Sequence, residues 1–185
     1  MKAVLKHITS IQTGVFAKPI QKGEIVYLQA KHFDEGGELS ETLYPDLDFD
    51  SKIEKHLLKK GDVLFAAKGS KNFASWYEND KMPAVASTSF FVIRLIDKNV
   101  LPGYLTWFLN HPGTQTLLKG QARGSSIASI SKAVLLELEI PIPSTQKQEL
   151  ILRIFKLRNR ERNLKQQIEN LREIEIQNLL INAIK

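Results

Sequence analysis

Apolar residues follow two rhythms along this chain of 185 residues. Up to about residue 143 they form short clusters between turn formers, and beyond it they recur at helical spacing. KGEIVYLQA, residues 22–30, reads as a strand with its apolar residues in the middle. GDVLFAA, 61–67, is an apolar run opened by a Gly-Asp turn, and STSFFVIRL, 87–95, is rich in aromatic and β-branched residues. LPGYLTWFLNHPG predicts a helix from about Pro102, because proline is tolerated in a first turn. Leu101, Leu105, Phe108 and Leu109 are spaced for one buried face of it. TQTLLKG predicts about two further helical turns, stopped by Gly120. QARGSSIASIS is a polar loop leading into a short helix or turn, and LLELEIPIP, 135–143, alternates as a last strand. The order is mixed α/β, without the strict βαβ alternation of a doubly wound sheet.

From Ser144 onward the reading is one long helix of coiled-coil type. IPIPS, Ile140 to Ser144, is the joint, where two prolines exclude a regular ladder or a helix interior. Thr145 and Gln148 fit a capping box, hydroxyl to backbone N–H and amide back to backbone. No Gly or Pro follows. Leu150, Ile154, Leu157, Leu164, Ile168, Leu171, Ile174 and Ile181 step by 4, 3, 7, 4, 3, 3 and 7, close to a heptad seam with Glu161 and Asn178 as polar breaks. A helix of about 40 residues is about 60 Å long, whereas a domain of roughly 140 residues is about 30 Å across. The helix is therefore expected to project and to lay its stripe on another helix, rather than fold back over its own domain. The expected division is a globular domain at 1–143, with a mixed sheet and short helices, and the helix at 144–185.

Composition narrows the classes of function. Hydrophobic content of 43% and charged content of 25% describe a globular chain. No apolar run approaches membrane-spanning length and the N-terminus carries no signal-peptide pattern, so a cytoplasmic protein is expected. The absence of cysteine excludes disulfides, thiolate zinc sites and a cysteine nucleophile. A net charge of +6 favours an anionic partner only weakly, and the local distribution says more. Asp34 to Glu54 holds eight acids and one lysine, Lys55 to Lys71 holds five lysines and one acid, and Arg153 to Lys165 sets six basic side chains against Glu161. Each such run is also what a solvated surface looks like.

Catalytic patterns do not emerge. His7, His32, His56 and His111 lack metal-site spacing. Asp46, Asp50 and Lys52 are a metal-nuclease type of set, but they crowd into one loop-like stretch rather than spreading over two strands. AKGSK lacks the upstream glycine of a phosphate loop. NHPG, 110–113, lacks the second proline and the aromatic with which an amino-methyltransferase holds a flipped base, and no glycine-rich cofactor loop is visible. No catalytic residue, metal or cofactor is expected, which leaves a binder. Lysine, arginine and asparagine read base edges, while serine, lysine and backbone N–H groups hold phosphates. Two loops have this content, Lys68 to Phe73 and Arg123 to Ser126. Lys18, Lys68, Ser70, Lys71, Asn72, Arg123, Ser125 and Ser126 are the candidate DNA contacts. Phe73, Trp76 and Tyr77 either brace the first loop, touch sugars and thymine methyls, or cap the core.

The succession GDVLFAAKGS, AVASTSFFVIRL, LPGYLTWFLNHP and RGSSIASISKAVLLELEIPIPSTQKQELI resembles the specificity subunit of type I restriction–modification systems, with one target-recognition domain and the helix after it. The last block carries most of the likeness, although Gln146-Lys147-Gln148 stands where the family often has Glu-Gln. VLKHITSIQTG and KGEIVYLQAKHFDEGGEL agree more loosely. The resemblance implies a non-catalytic subunit that reads one half-site of a bipartite sequence in double-stranded DNA. It also implies a subunit that carries methyltransferase subunits, and through them restriction subunits, to that site. The usual subunit has two recognition domains and two long helices, whereas this chain has one of each. It is then either a half-subunit that pairs with a second copy through its helix, or a piece of a longer protein. The other readings are a coiled-coil adaptor that binds no DNA, a small metal-dependent nuclease, and an accessory fragment of a larger restriction system.

Overall fold

The computed structural model describes residues 1–34, 36–40, 42–69, 72–78, 82–122 and 129–184. Strand β1 (Lys2–Val4) runs into a single turn, α1 (Leu5–Ile8), which buries Leu5 and Ile8 before β2 (Thr9–Thr13). Next come β3 (Val26–Leu28), a 3-10 turn at Ala30–His32, and α2 (Ser51–Glu54). The strands β4 (Val63–Ala66), β5 (Ala74–Trp76), β6 (Ala84–Ala86) and β7 (Phe90–Leu95) follow. α3 (Pro102–Asn110), α4 (Pro112–Gly120), α5 (Lys132–Leu136) and β8 (Glu139–Pro141) precede the long α6 (Thr145–Ala183). The chain divides into two compact units, Met1–Thr145 and Gln146–Lys185.

An antiparallel sheet of order β2-β7-β4-β5 forms the middle of the first unit. Its register sets Ile11 opposite Ile93 and Phe65 opposite Phe91. All four residues of β4 are buried, so it reads as a continuous apolar run rather than an alternating one. Leu64, Ala66, Phe90 and Val92 pack in one cluster with Val26, Leu28, Ala84 and Ala86 of the parallel β3–β6 pair. α3 packs against β4 and β5. Phe33, Phe73 and Phe90 meet in the same core with ring centroids 5.6–5.9 Å apart, the tilted and edge-on contacts that aromatic rings favour. A smaller cluster of Ile25, Tyr27, Leu47 and Val85 holds Val15 and Ala17. β1 pairs antiparallel with β8, and the Tyr104 hydroxyl donates to the Pro141 carbonyl at 2.7 Å.

The mixed fold and the long C-terminal helix are as the sequence predicts, with local corrections. The strand expected over 22–30 is confined to Val26–Leu28. The one expected over 87–95 begins at Phe90, because Ser87 to Ser89 turn ahead of it. Leu135 and Leu136 belong to α5, not to the last strand, which is Glu139–Pro141 alone. Pro141 does sit in a ladder, opposite Lys2, because a two-stranded pair asks no N–H of it on the outer side. The first helical residue of α6 is Thr145, so Ser144 rather than Thr145 precedes its first turn, and Gln148 is buried.

One ion pair fastens the start of β4 to β7. Asp62 is 1% exposed and accepts from Arg94 Nε at 2.7 Å and Nη2 at 2.6 Å, and from the Lys59 N–H at 2.8 Å. The carboxylate in turn holds the Arg94 guanidinium above its usual range. A planar fork matches a carboxylate in a way an ammonium does not. Asp62→Ala is expected to cost roughly 2–4 kcal/mol, since it strands a half-buried guanidinium and a backbone N–H. Urea unfolding of the two chains measures it, and a cost under about 0.5 kcal/mol would rule out this role.

Candidate nucleic-acid interface

Where β2 and β4 end, β5 and β7 begin, so four strand termini, and the three connections they belong to, gather at one end of the sheet. The N–H of Gly14 donates to the Phe90 carbonyl at 3.0 Å and that of Val15 to the Ala86 carbonyl at 2.8 Å. Across β7 the N–H of Ala67 donates to the Ser89 carbonyl at 3.0 Å, and the N–H of Ile130 to the Ala67 carbonyl at 3.0 Å. Lys68 and Ser129 face each other in an antiparallel bridge. The two loops singled out in the sequence, far apart along the chain, therefore share a foot.

Of the candidate contacts, Lys18 and Lys68 are exposed. Ser70, Lys71, Arg123, Ser125 and Ser126 lie outside the described residues. Asn72 is half-buried, and its Nδ2 donates to the Ala66 carbonyl at 2.9 Å, closing the loop between β4 and β5 on itself. Phe73 is a core residue that anchors the same loop. Trp76 and Tyr77 sit at the far end of β5, where the Tyr77 hydroxyl donates to the Met82 carbonyl at 3.0 Å. Tyr77 braces that end and packs against the core, while Trp76 is exposed.

Sequence reasoning missed two further parts. Ser87 to Ser89 form a turn between the two feet, with their hydroxyl oxygens 2.6 Å apart. A run of three hydroxyl residues is itself a turn signal, although β-branched Thr88 masks it. Asn110 clamps β5: its Oδ1 accepts from the Ala74 N–H at 2.7 Å and its Nδ2 donates to the Ala74 carbonyl at 2.8 Å. The amide thus acts as a one-residue partner for the sheet's edge strand, whose backbone groups otherwise need another strand or water. No signal within NHPG announces this.

The acidic stretch is structural at both carboxylates that suggested a nuclease. Asp46 Oδ1 accepts from the Tyr27 N–H at 2.8 Å, and Asp50 Oδ1 caps α2 by accepting from the Lys52 N–H at 3.0 Å. That backbone bond is the main reason the Asp50 carboxyl lies below its usual range. Among the described residues no three His, Cys, Asp or Glu side chains gather as a metal site would need.

The seam of α6 is open. Leu150, Ile154, Leu157, Leu164, Ile168, Leu171, Ile174 and Ile181 are each between 49% and 66% exposed. Phe155, Ile176, Leu179, Leu180 and Ile184 are exposed as well and extend the apolar surface beyond the predicted stripe. Glu161, a polar break in the seam, pairs with Lys165 at 2.6 Å, an exposed i,i+4 pair of small energetic weight. No described helix is long and apolar enough to cross a membrane.

The comparison with known families places this fold among DNA specificity domains. A model of the type I restriction modification DNA specificity domain matches residues 10–171, and the chain belongs to that family. Among solved structures it is similar to the type I restriction–modification S subunit from M. genitalium, at 20% identity and a TM-score of 0.61, over 94% of this chain and 42% of that one. It is similar also to a chain from a type I R-M system structure concerned with complex assembly and conformational transition, at 14% identity and a TM-score of 0.72, over 97% and 43%. A third is the HsdS subunit from Thermoanaerobacter tengcongensis, at 12% identity and a TM-score of 0.58, over 87% and 37%. The chain spans about two fifths of the length of these proteins. No curated protein matches it significantly.

Removal of the edge clamp tests the local architecture. Asn110→Ala leaves the N–H and carbonyl of Ala74 without their side-chain partner and is expected to cost about 1–3 kcal/mol. Amide exchange at Ala74 should quicken while exchange in β7 is unaffected. Unchanged exchange at Ala74 would mean that water or a shifted strand replaces the amide at no cost.

Proposed function

We propose that the chain reads one half of a bipartite sequence in double-stranded DNA with the loops at the Lys68–Ser129 bridge, and catalyses nothing itself. The observation that carries this is the shared foot of the two basic, hydroxyl-bearing loops beside the Ser87–Ser89 turn. Base-edge donors, phosphate-binding hydroxyls and a scaffold that holds their bases rigid are what a groove-reading surface requires. Lys18, Lys68, Ser70, Lys71, Arg123, Ser125 and Ser126 are the contacts assigned to it. Asn72 holds the loop through one amide N–H and offers its second N–H and its Oδ1 to the DNA. Methyltransferase subunits, and through them restriction subunits, are the protein partners, in the cytoplasm.

The second half-site comes from a second copy. The exposed seam of α6 supplies the motive for pairing, and its charges favour an antiparallel pair. Arg153 to Lys165 holds six basic side chains against Glu161, whereas further on Glu169, Glu173 and Glu175 outnumber Arg172 and the last residue, Lys185. Antiparallel pairing lays each basic half over an acidic half; parallel pairing stacks like on like. A symmetric pair of this kind reads a palindromic bipartite site.

Light scattering across concentrations is expected to return twice the mass of one chain, falling to one chain in the Leu157→Asp, Leu164→Asp double variant. The native chain should prefer a selected duplex with two inverted half-sites at physiological salt, and the variant should bind one half-site at a time. A native monomer at micromolar concentration would sink the pairing. Equal affinity for all duplexes would sink the reading of sequence, and no salt-dependent duplex binding at all would point to the adaptor.

A further inference from the structure

Phe16 is the feature that neither the fold nor the assigned loops explain. It is 78% exposed, yet its backbone is held on both sides. Gly14 and Val15 donate to Phe90 and Ala86, Val15 accepts from the Tyr27 hydroxyl at 2.9 Å, and the Ala17 N–H bonds that same oxygen at 3.3 Å. Val15 and Ala17 pack inward with Tyr27 and Leu47, while Phe16 and Lys18 are exposed. This is the inside-outside alternation of an extended chain, so Phe16 and Lys18 share one face about 7 Å apart.

The approach of this segment to β7 is closer than any side chain permits. A Cβ on Gly14 would lie 2.1 Å from the Ser87 carbonyl oxygen. The start of the Phe16 segment and the Lys68 foot lie on opposite sides of the start of β7, two strand spacings or about 10 Å apart. A B-DNA major groove is about 12 Å wide, so one groove can receive both. Local charge agrees: from Gly14 to Lys22 there are two lysines and no acid. The other prominent exposed aromatics, Tyr44 and Phe49, lie among Asp46, Asp48 and Asp50, where phosphates are repelled.

We propose that Phe16 packs against a thymine methyl in the major groove of the half-site while Lys18 meets a neighbouring phosphate. This rests on the DNA-reading function proposed above and adds a residue that senses a base through apolar contact alone. The thymine methyl is the apolar group which that groove offers. A pinned backbone places the ring at little further cost in order, which makes it an effective anchor.

The test begins with the half-site selected from random duplexes by the full native chain. Each thymine is then replaced by uracil, which lacks only the methyl, and affinities are compared for the native chain and Phe16→Ala. Phe16→Ala should melt within about 2 °C of the native chain, as an exposed substitution does. It should weaken specific binding about tenfold or more, with binding to unrelated duplex unchanged. Uracil at one position should weaken the native chain roughly fourfold, the effect of one buried methyl, and leave Phe16→Ala indifferent. A selective native chain with no uracil-sensitive position, or a Phe16→Ala chain just as sensitive, overturns this inference alone. A native chain with no preference among duplexes overturns the reading beneath it as well.

Discussion

The backbone between Ser87 and Phe90 is claimed from every side, and what the domain can present at that end follows from this. The Ser87 N–H donates to the Leu28 carbonyl at 2.8 Å, the Ser89 carbonyl accepts from Ala67, and the Phe90 carbonyl accepts from Gly14. Buried peptide groups must be paired, so these bonds are obligations that fix where three chain segments can run. The segment after β2 must come within a glycine's distance of Ser87, and the segment after β4 must leave beside Ser89. The last residues before α5 then continue the pattern through Ile130 and Ala67. Loops that vary in side chain can stand on such a base without disturbing it, because the base is made of backbone.

Rigidity elsewhere serves the same end of the sheet. Phe73 and Asn72 tie down the returning limb of the loop between β4 and β5, one by burial and one by a hydrogen bond. Asn110 holds Ala74 one residue further on, and Asp62 with Arg94 locks the other end of β4 to β7. A loop whose two limbs are anchored loses less freedom when it meets a ligand, so more of each contact appears as affinity.

Much of this was legible in the sequence, and the limits have a common cause. β4, β7, α3, α4 and α6 announce themselves through local spacing and composition, which neighbours in the chain determine. Ser87 to Ser89 read as strand because threonine and the residues after it favour one, yet the claims of Gly14 and Ala67 decide the turn. Asn72 reads as a base reader because an amide on a basic loop has the right groups, and the sequence does not show that one of its two N–H groups is given to Ala66. Asn110 and Phe16 are silent for the same reason. Their meaning lies in partners 36 residues away in one case, and in a backbone clamp some 70 residues away in the other. Side-chain chemistry is visible in a sequence, but whether that chemistry is already occupied is a long-range property.

The helix poses the opposite problem, since its chemistry is local and its partner is absent. From Leu157 to Leu171 its apolar residues keep to the heptad steps, a stripe narrow enough for one facing helix. The step of three from Leu171 to Ile174 breaks that phase and overwinds any supercoil that follows it. Beyond the break, Ile174, Ile176, Leu179, Leu180, Ile181 and Ile184 spread over roughly 220° of the circumference at 3.6 residues per turn. All six are exposed, and one neighbouring helix covers about half of such an arc. The narrow stretch therefore asks for a single partner and the last three turns ask for more than one. A pair formed along the seam would leave each C-terminal end still able to receive another helix.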